Sequence, residues 1–247
     1  MNQAAKEFEN ELETFRKETD GVIQYFYSWH AVHVIAAKDD SILRLLNQAP
    51  LFWNTTLAGL QSSVLVTLGR IFDPNTNNHS VSRLLLIAHS NLEIFSKEAL
   101  ANRKRLESLN ADEWLPEYLD SVYVPKSKDI RNLKTHVAKR RRIYEEKYRP
   151  LRHTVFAHRG KLTQSEIEKL FANTNITELQ KMLVFLSKLH EALWQLYFNG
   201  RKPSLQPARY SLKQILDKPS QNPKQGKLQE RVVHEIQKFL ESHRKDA

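Results

Sequence analysis

At 247 residues, 40% hydrophobic and 27% charged, the chain has the composition of an ordinary globular protein and room for one large domain or one domain with an appendage. It has no cysteine, which excludes disulfides and thiolate metal sites, and its longest apolar runs, such as Val64–Val66 and Leu84–Ala88, are far too short to cross a bilayer. The formal net charge of +10 is concentrated: residues 126–161 carry 13 Lys and Arg against 3 Asp and Glu, and residues 201–247 carry 11 against 5, while residues 1–125 are net acidic. The N-terminal stretch MNQAAKEFENELETF is charged and amphipathic, without the apolar core of a signal peptide, so a cytoplasmic protein is expected.

Residues 2–38 read as one long helix, with Phe8, Leu12 and Phe15 on one stripe and an aromatic-rich stretch from Val22 to Ile35 that is apolar all round. His30 and His33 lie three apart there, but no acidic partner set follows, so packing is expected rather than a metal. A short helical piece, Ser41–Asn47, leads to a strong helix over residues 51–72 with the small residues Ala58, Gly59, Ser62 and Ser63. The cluster Asp73-Pro74-Asn75-Thr76-Asn77-Asn78 turns the chain, and Ser80 or Ser82 caps the next helix. A helix from about Leu92 to Leu109 carries Lys97, Arg103, Lys104 and Arg105, which are expected to be largely exposed. After a short helix and packed connection at 110–126, a basic helix runs from about Lys128 to Tyr148. Its Lys139-Arg140-Arg141-Arg142 covers every side of a helix, so some of these cations must face away from the core.

Thr163-Gln-Ser-Glu166 has capping-box spacing, Asn175 suits the next cap, and a Leu- and Phe-rich helix from 176 ends on Asn199-Gly200. The domain division expected is a helical domain over 1–200, a Pro-rich linker over 201–226 with a helical turn or two at 211–216, and an amphipathic helix within 227–247. The sequence does not decide whether that last helix folds back or holds a partner. No strand alternation persists anywhere, so the fold class is all-α.

The chemistry concentrates in Tyr148-Arg149-Pro150-Leu151-Arg152-His153-Thr154-Val155-Phe156-Ala157-His158-Arg159-Gly160. Pro150 suits a first helical turn and Gly160 the position past a helix end, so 150–159 is either a helix of its own or the bent last turns of a longer one. Arg152 and His158, six residues apart, can bring both heads to one anion because the Arg side chain is long. The structural alternative is that both pair with acidic residues of the first half.

The pattern R-H-x-x-x-x-H within L-R-H-T-V-F-A-H-R resembles the Arg–polar–x4–His signature of HEPN domains. A second stretch, Leu68-Gly69-Arg70-Ile71-Phe72-Asp73-Pro74 followed by Ser80-Val81-Ser82-Arg83-Leu84-Leu85, resembles the AbiU-type HEPN proteins of abortive infection, and the likeness spans roughly residues 8–200. It implies a HEPN-like helical bundle of long antiparallel helices, here with a C-terminal helical appendage. It also implies a metal-independent, toxin-like RNase of phage defence with Arg152, His153 and His158 as catalytic residues, no cofactor, and a composite site across a homodimer. The basic residues Lys139, Arg140, Arg141, Arg142, Arg149 and Arg159 are the expected RNA contacts, and an antitoxin protein is a further expected partner. The roles fit the chemistry: histidine titrates near neutrality and can move the 2′-OH proton, and arginine offers a planar fork to a phosphorane. No Gly-rich phosphate loop, H-E-x-x-H or G-x-S-x-G occurs, and His136, His153 and His158 match no familiar metal spacing. The alternative function is a non-catalytic HEPN module that binds nucleic acid, a nucleotide or a protein.

Overall fold

The computed structural model describes residues 3–157, 163–206, 208–218, 222 and 225–243, with backbone only at Phe156 and Ala157. The apolar periodicities become helices: α1 Gln3–Ala36, α2 Asp40–Asn47, α3 Pro50–Ile71, α4 Val81–Ser90, a 3-10 turn Leu92–Phe95, α5 Lys97–Glu107, α6 Ala111–Asp120 and α7 Ser127–Ile143. A run of wide and ordinary turns at Tyr144–Ala157 contains α8 Arg149–Leu151, and α9 Gln164–Ala172, α10 Ile176–Asn199, α11 Leu212–Asp217 and α12 Leu228–Ser242 follow. No strand occurs among the described residues. The starts are set by side chains that accept orphan amide hydrogens. Asp39 caps α2, Ser80 caps α4, Ser96 caps α5, and Thr163 with Glu166 closes the capping box of α9.

The chain forms two compact units. The first comprises residues 1–17, 70–143 and 185–207. Phe8 packs edge-on to Phe95 and against Tyr197, with ring centroids 5.2 and 4.9 Å away. α4 packs on α7, whose Ile130, Leu133 and Val137 form the buried stripe. Gly200 ends α10 at φ 56°, a conformation that lets Tyr123 N–H reach its carbonyl at 2.8 Å. The loop between α3 and α4 is held internally. The Asp73 carboxylate accepts from Asn75 N and Asn78 Nδ2, and Arg83 donates to Thr76 O at 3.0 Å. Arg83 also reaches the buried Glu11 at 2.8 Å and Glu7 at 2.5 Å, and His79 Nδ1 lies 2.8 Å from the same Glu11 oxygen.

One expectation fails here. Arg103 is not exposed but 7% accessible. It donates to Ile94 O and Tyr197 O at 2.9 and 2.8 Å, with its guanidinium 3.8 Å from the Tyr197 ring centre. Two carbonyls and an aromatic face replace part of the water that a buried guanidinium gives up.

The second unit comprises residues 18–69, 144–184 and 208–247. Its core joins Val22, Ile23 and Phe26 of α1, Val64, Leu65 and Leu68 of α3, and Met182 and Leu183 of α10, all buried. α12 folds back within this unit. Its Leu240 is fully buried in a cluster with Val32, Ala36, Ile42 and Leu46, and Ile236 packs on the edge of that cluster. The stripe Val233–Ile236–Leu240, three and four residues apart, is therefore an inward face.

Candidate functional site

The signature segment is the bent end of a long helix and not a separate one. α7 passes at Tyr144 into a π turn, Tyr144–Tyr148, then the single α turn Arg149–Leu151, then a second π turn, Arg152–Ala157. Pro150 explains the first widening. It has no N–H to donate, and its ring collides with the carbonyl four residues back, so an unbroken α ladder cannot pass it. Wider turns with i→i+5 bonding carry the backbone past that point, and such turns recur at functional sites. Tyr144, Tyr148 and Leu151 are buried and fasten the segment to the unit's core. Tyr148 donates to Asn175 O at 2.9 Å, and Lys147 pairs with Glu178 at 2.8 Å. Burial pushes the Tyr148 phenol up to about 12.

Arg152 is half-buried and lies along α3 at Gly69. A Cβ on Gly69 would stand 2.0 Å from Arg152 Nη1 and 2.8 Å from Tyr144 Oη. Tyr144 donates its hydroxyl hydrogen to Leu65 O at 3.3 Å, one turn earlier on α3, and its oxygen accepts from Arg152. Burial raises the pKa of this phenol, against the opposing pull of the Arg152 charge. Arg152 Nη2 donates to His153 Nε2 at 3.3 Å. A guanidinium has donors only, so this contact requires the His153 tautomer that carries its proton on Nδ1. Thr154 Oγ1 donates to the Pro150 carbonyl. His158 and Arg159 lie outside the described residues.

The basic run of α7 is divided by helix geometry. Arg140 and Arg141 follow the buried Val137 by three and four positions and so inherit the inward face. Arg140 is half-buried with its guanidinium 4.7 Å from the Phe185 ring centre, and Arg141 hydrogen-bonds Ser82 Oγ. Lys139 and Arg142 are exposed, and so is Arg149 on the wide-turn run. Of the expected RNA contacts that are described, these three point outward. Arg140 and Arg141 are instead half-buried, against Phe185 and Ser82.

Among the described residues no group of three or more His, Asp or Glu side chains is placed to hold a metal. His30 and His33 pack against Trp29, and His30 is lowered to about 4 by burial first and by His33 second. Both histidines are packing residues.

Gly69 and Tyr144 are the site residues that sequence reasoning missed. In sequence Gly69 reads only as part of a helix, and Tyr144 as part of the basic helix. One signal was available: glycine inside an otherwise apolar helix costs roughly 1 kcal/mol against alanine and therefore implies a packing reason.

The all-α fold, with an Arg–polar pair on the bent end of the basic helix, is consistent with the HEPN class of domains. The HEPN_AbiU2 family model, described as AbiU2, matches residues 5–218, and the chain is a member of that family. No curated protein and no solved structure matches it. α12 lies beyond the matched residues. Among the described residues no helix is long and apolar enough to cross a membrane.

Proposed function

We propose that the chain is a metal-independent endoribonuclease of the abortive-infection or toxin type. Arg152 holds the scissile phosphate and His158 moves the proton. The observation that carries this is the surroundings of Arg152. The groups described against its guanidinium are helix backbone, a phenol and an imidazole, all uncharged, so its charge is available to an anion. The 2′-OH gives up its proton as its oxygen bonds to phosphorus. The P–O5′ bond then breaks, leaving a 2′,3′-cyclic phosphate and a 5′-hydroxyl. Charge gathers on the phosphorane oxygens, where a planar fork of donors stabilises it most. His153, paired to Arg152, orients the fork. The exposed Lys139, Arg142 and Arg149 support a phosphate-tracking role beside it.

Two polar heads per chain are few for such a reaction, which supports a two-fold dimer that brings two 150–159 segments together. An antitoxin protein that covers the segment is the matching partner. Purified protein should cut RNA in EDTA. His158→Ala should lower the rate by about 10²–10⁴ and Arg152→Ala by about 10²–10³. Arg152→Lys should recover little, because an ammonium lacks the two-pronged geometry. Light scattering should give twice the chain mass. If His158→Ala cuts as fast as the parent, the catalytic role is lost and a binding module remains.

A further inference from the structure

Gly69 has an ordinary helical backbone: the one glycine with positive φ among the described residues is Gly200. Backbone freedom therefore does not explain a glycine at this position, and the space left by its missing Cβ does. On the same helix Gly59 has nothing within 4 Å of the place a Cβ would take, and at Gly21 of α1 the nearest atom is an ordinary 3.8 Å away. At Gly69 that place is filled by a guanidinium nitrogen at 2.0 Å, with a phenol oxygen at 2.8 Å. The phenol spends its own hydrogen on Leu65 O of α3, so its oxygen faces the guanidinium as an acceptor. Leu65 and Gly69 are four apart, one above the other on a single face of α3.

We propose that Gly69 and Tyr144 are positioning residues that form a neutral notch for the Arg152 guanidinium and fix which of its edges meets the phosphate. This rests on Arg152 as the phosphate-binding group of the proposed RNase. It also gives a physical reason for two stretches more than 80 positions apart to occur together: the glycine of the first is the room that the arginine of the second occupies. A side chain at position 69 would lift the guanidinium off the helix and turn its fork, without opening a cavity or stranding a buried charge.

The test uses the full chain. Gly69→Ala should keep or raise Tm, because the displaced atom is the far end of a flexible side chain and alanine favours the helix. Its kcat for RNA should fall at least tenfold with KM little changed. Tyr144→Phe, which removes the acceptor, should lower kcat several-fold. Millimolar guanidinium should restore part of the activity of Arg152→Ala but none to the Gly69→Ala/Arg152→Ala double variant, whose notch is filled. Parent-like kcat in Gly69→Ala, or equal rescue of the single and double variants, overturns the notch while leaving the RNase standing. Should Arg152→Ala itself cut at the parent rate, the RNase role of Arg152 fails, and the notch is then judged by the Arg152 Nε–H resonance. A shift of that resonance in Gly69→Ala sustains the notch, and an unmoved one refutes it.

Discussion

Three arginines of this chain look alike in sequence and have been put to three uses by their neighbours. Arg83 is spent on carboxylates, reaching Glu7 and Glu11, and so fastens the α3–α4 loop to α1. Arg103 is spent on backbone carbonyls and an aromatic face deep in the first unit, where burial lowers its pKa from the ordinary value. Arg152, among the described residues, lies against uncharged groups: the α3 backbone at Gly69, the Tyr144 phenol and the His153 ring. The difference is measurable in stability. Arg103→Met leaves two buried carbonyls without donors and should cost roughly 2–4 kcal/mol in urea unfolding. Arg152→Met should cost less than about 1 kcal/mol, since the buried Tyr144 hydroxyl keeps its own hydrogen bond to Leu65 O. Equal losses for the two variants would show that Arg152 is an anchor like Arg103.

At the scale of elements, the sequence was read best where local chemistry decides. The caps at Thr163 with Glu166 and at Asn175, and the stop at Gly200, stand where turn chemistry places them, and of Ser80 and Ser82 it is Ser80 that caps α4. So does the length of α1, because a stripe of Phe and Leu is written directly in the spacing. Arg103 was misjudged because the acceptors that bury it come from Ile94 and from Tyr197, the latter 94 positions away, and no local pattern reports them. The run at 144–157 is one of two readings that the sequence leaves open, because Pro150 suits a helix start as well as a bend, and its wide turns have no local signal. The run 139–142 was legible as a cationic helix but not in its division between faces, which depends on where Val137 is buried. That division sets the next prediction. Lys139→Glu with Arg142→Glu should weaken RNA binding and flatten the plot of log affinity against log salt by about 1.4, for two contacts on a single strand. The same reversal at Arg140 and Arg141 should instead lower Tm, because it strips Phe185 of its cation and Ser82 of its donor. An unchanged slope in the first pair would return those residues to the status of solvent-facing charge.

At the scale of the whole molecule, each unit holds a half-buried histidine whose neutral form is favoured. His30 in the second unit and His190 in the first are both lowered to about 4, each by burial first, with Arg16 adding to the effect at His190. In the unfolded chain both return to about 6.5. Between those values the unfolded state binds protons that the folded state refuses, so stability rises with pH across this window and falls as pH drops through it. Above about 6.5 both states are neutral at these sites, and below about 4 the penalty has reached its full size. Tm should therefore decline from pH 6.5 to 4. His30→Gln or His190→Gln should each remove part of that slope, and a Tm that stays level across the window would show that neither ring is held neutral.

The two wide turns around Pro150 act as a phase setting. A π turn closes on the fifth residue where an α turn closes on the fourth, so each holds one residue more and delays the rotation of everything after it. Loss of a single residue from Tyr144–Tyr148 would leave a good helix and an intact composition, yet would swing Arg152 by about 100° around the axis, away from Gly69. Exposed loops tolerate a change of length. Here length is angle, and the spacing between Tyr144 and Arg152 is as fixed a part of the site as the residues themselves.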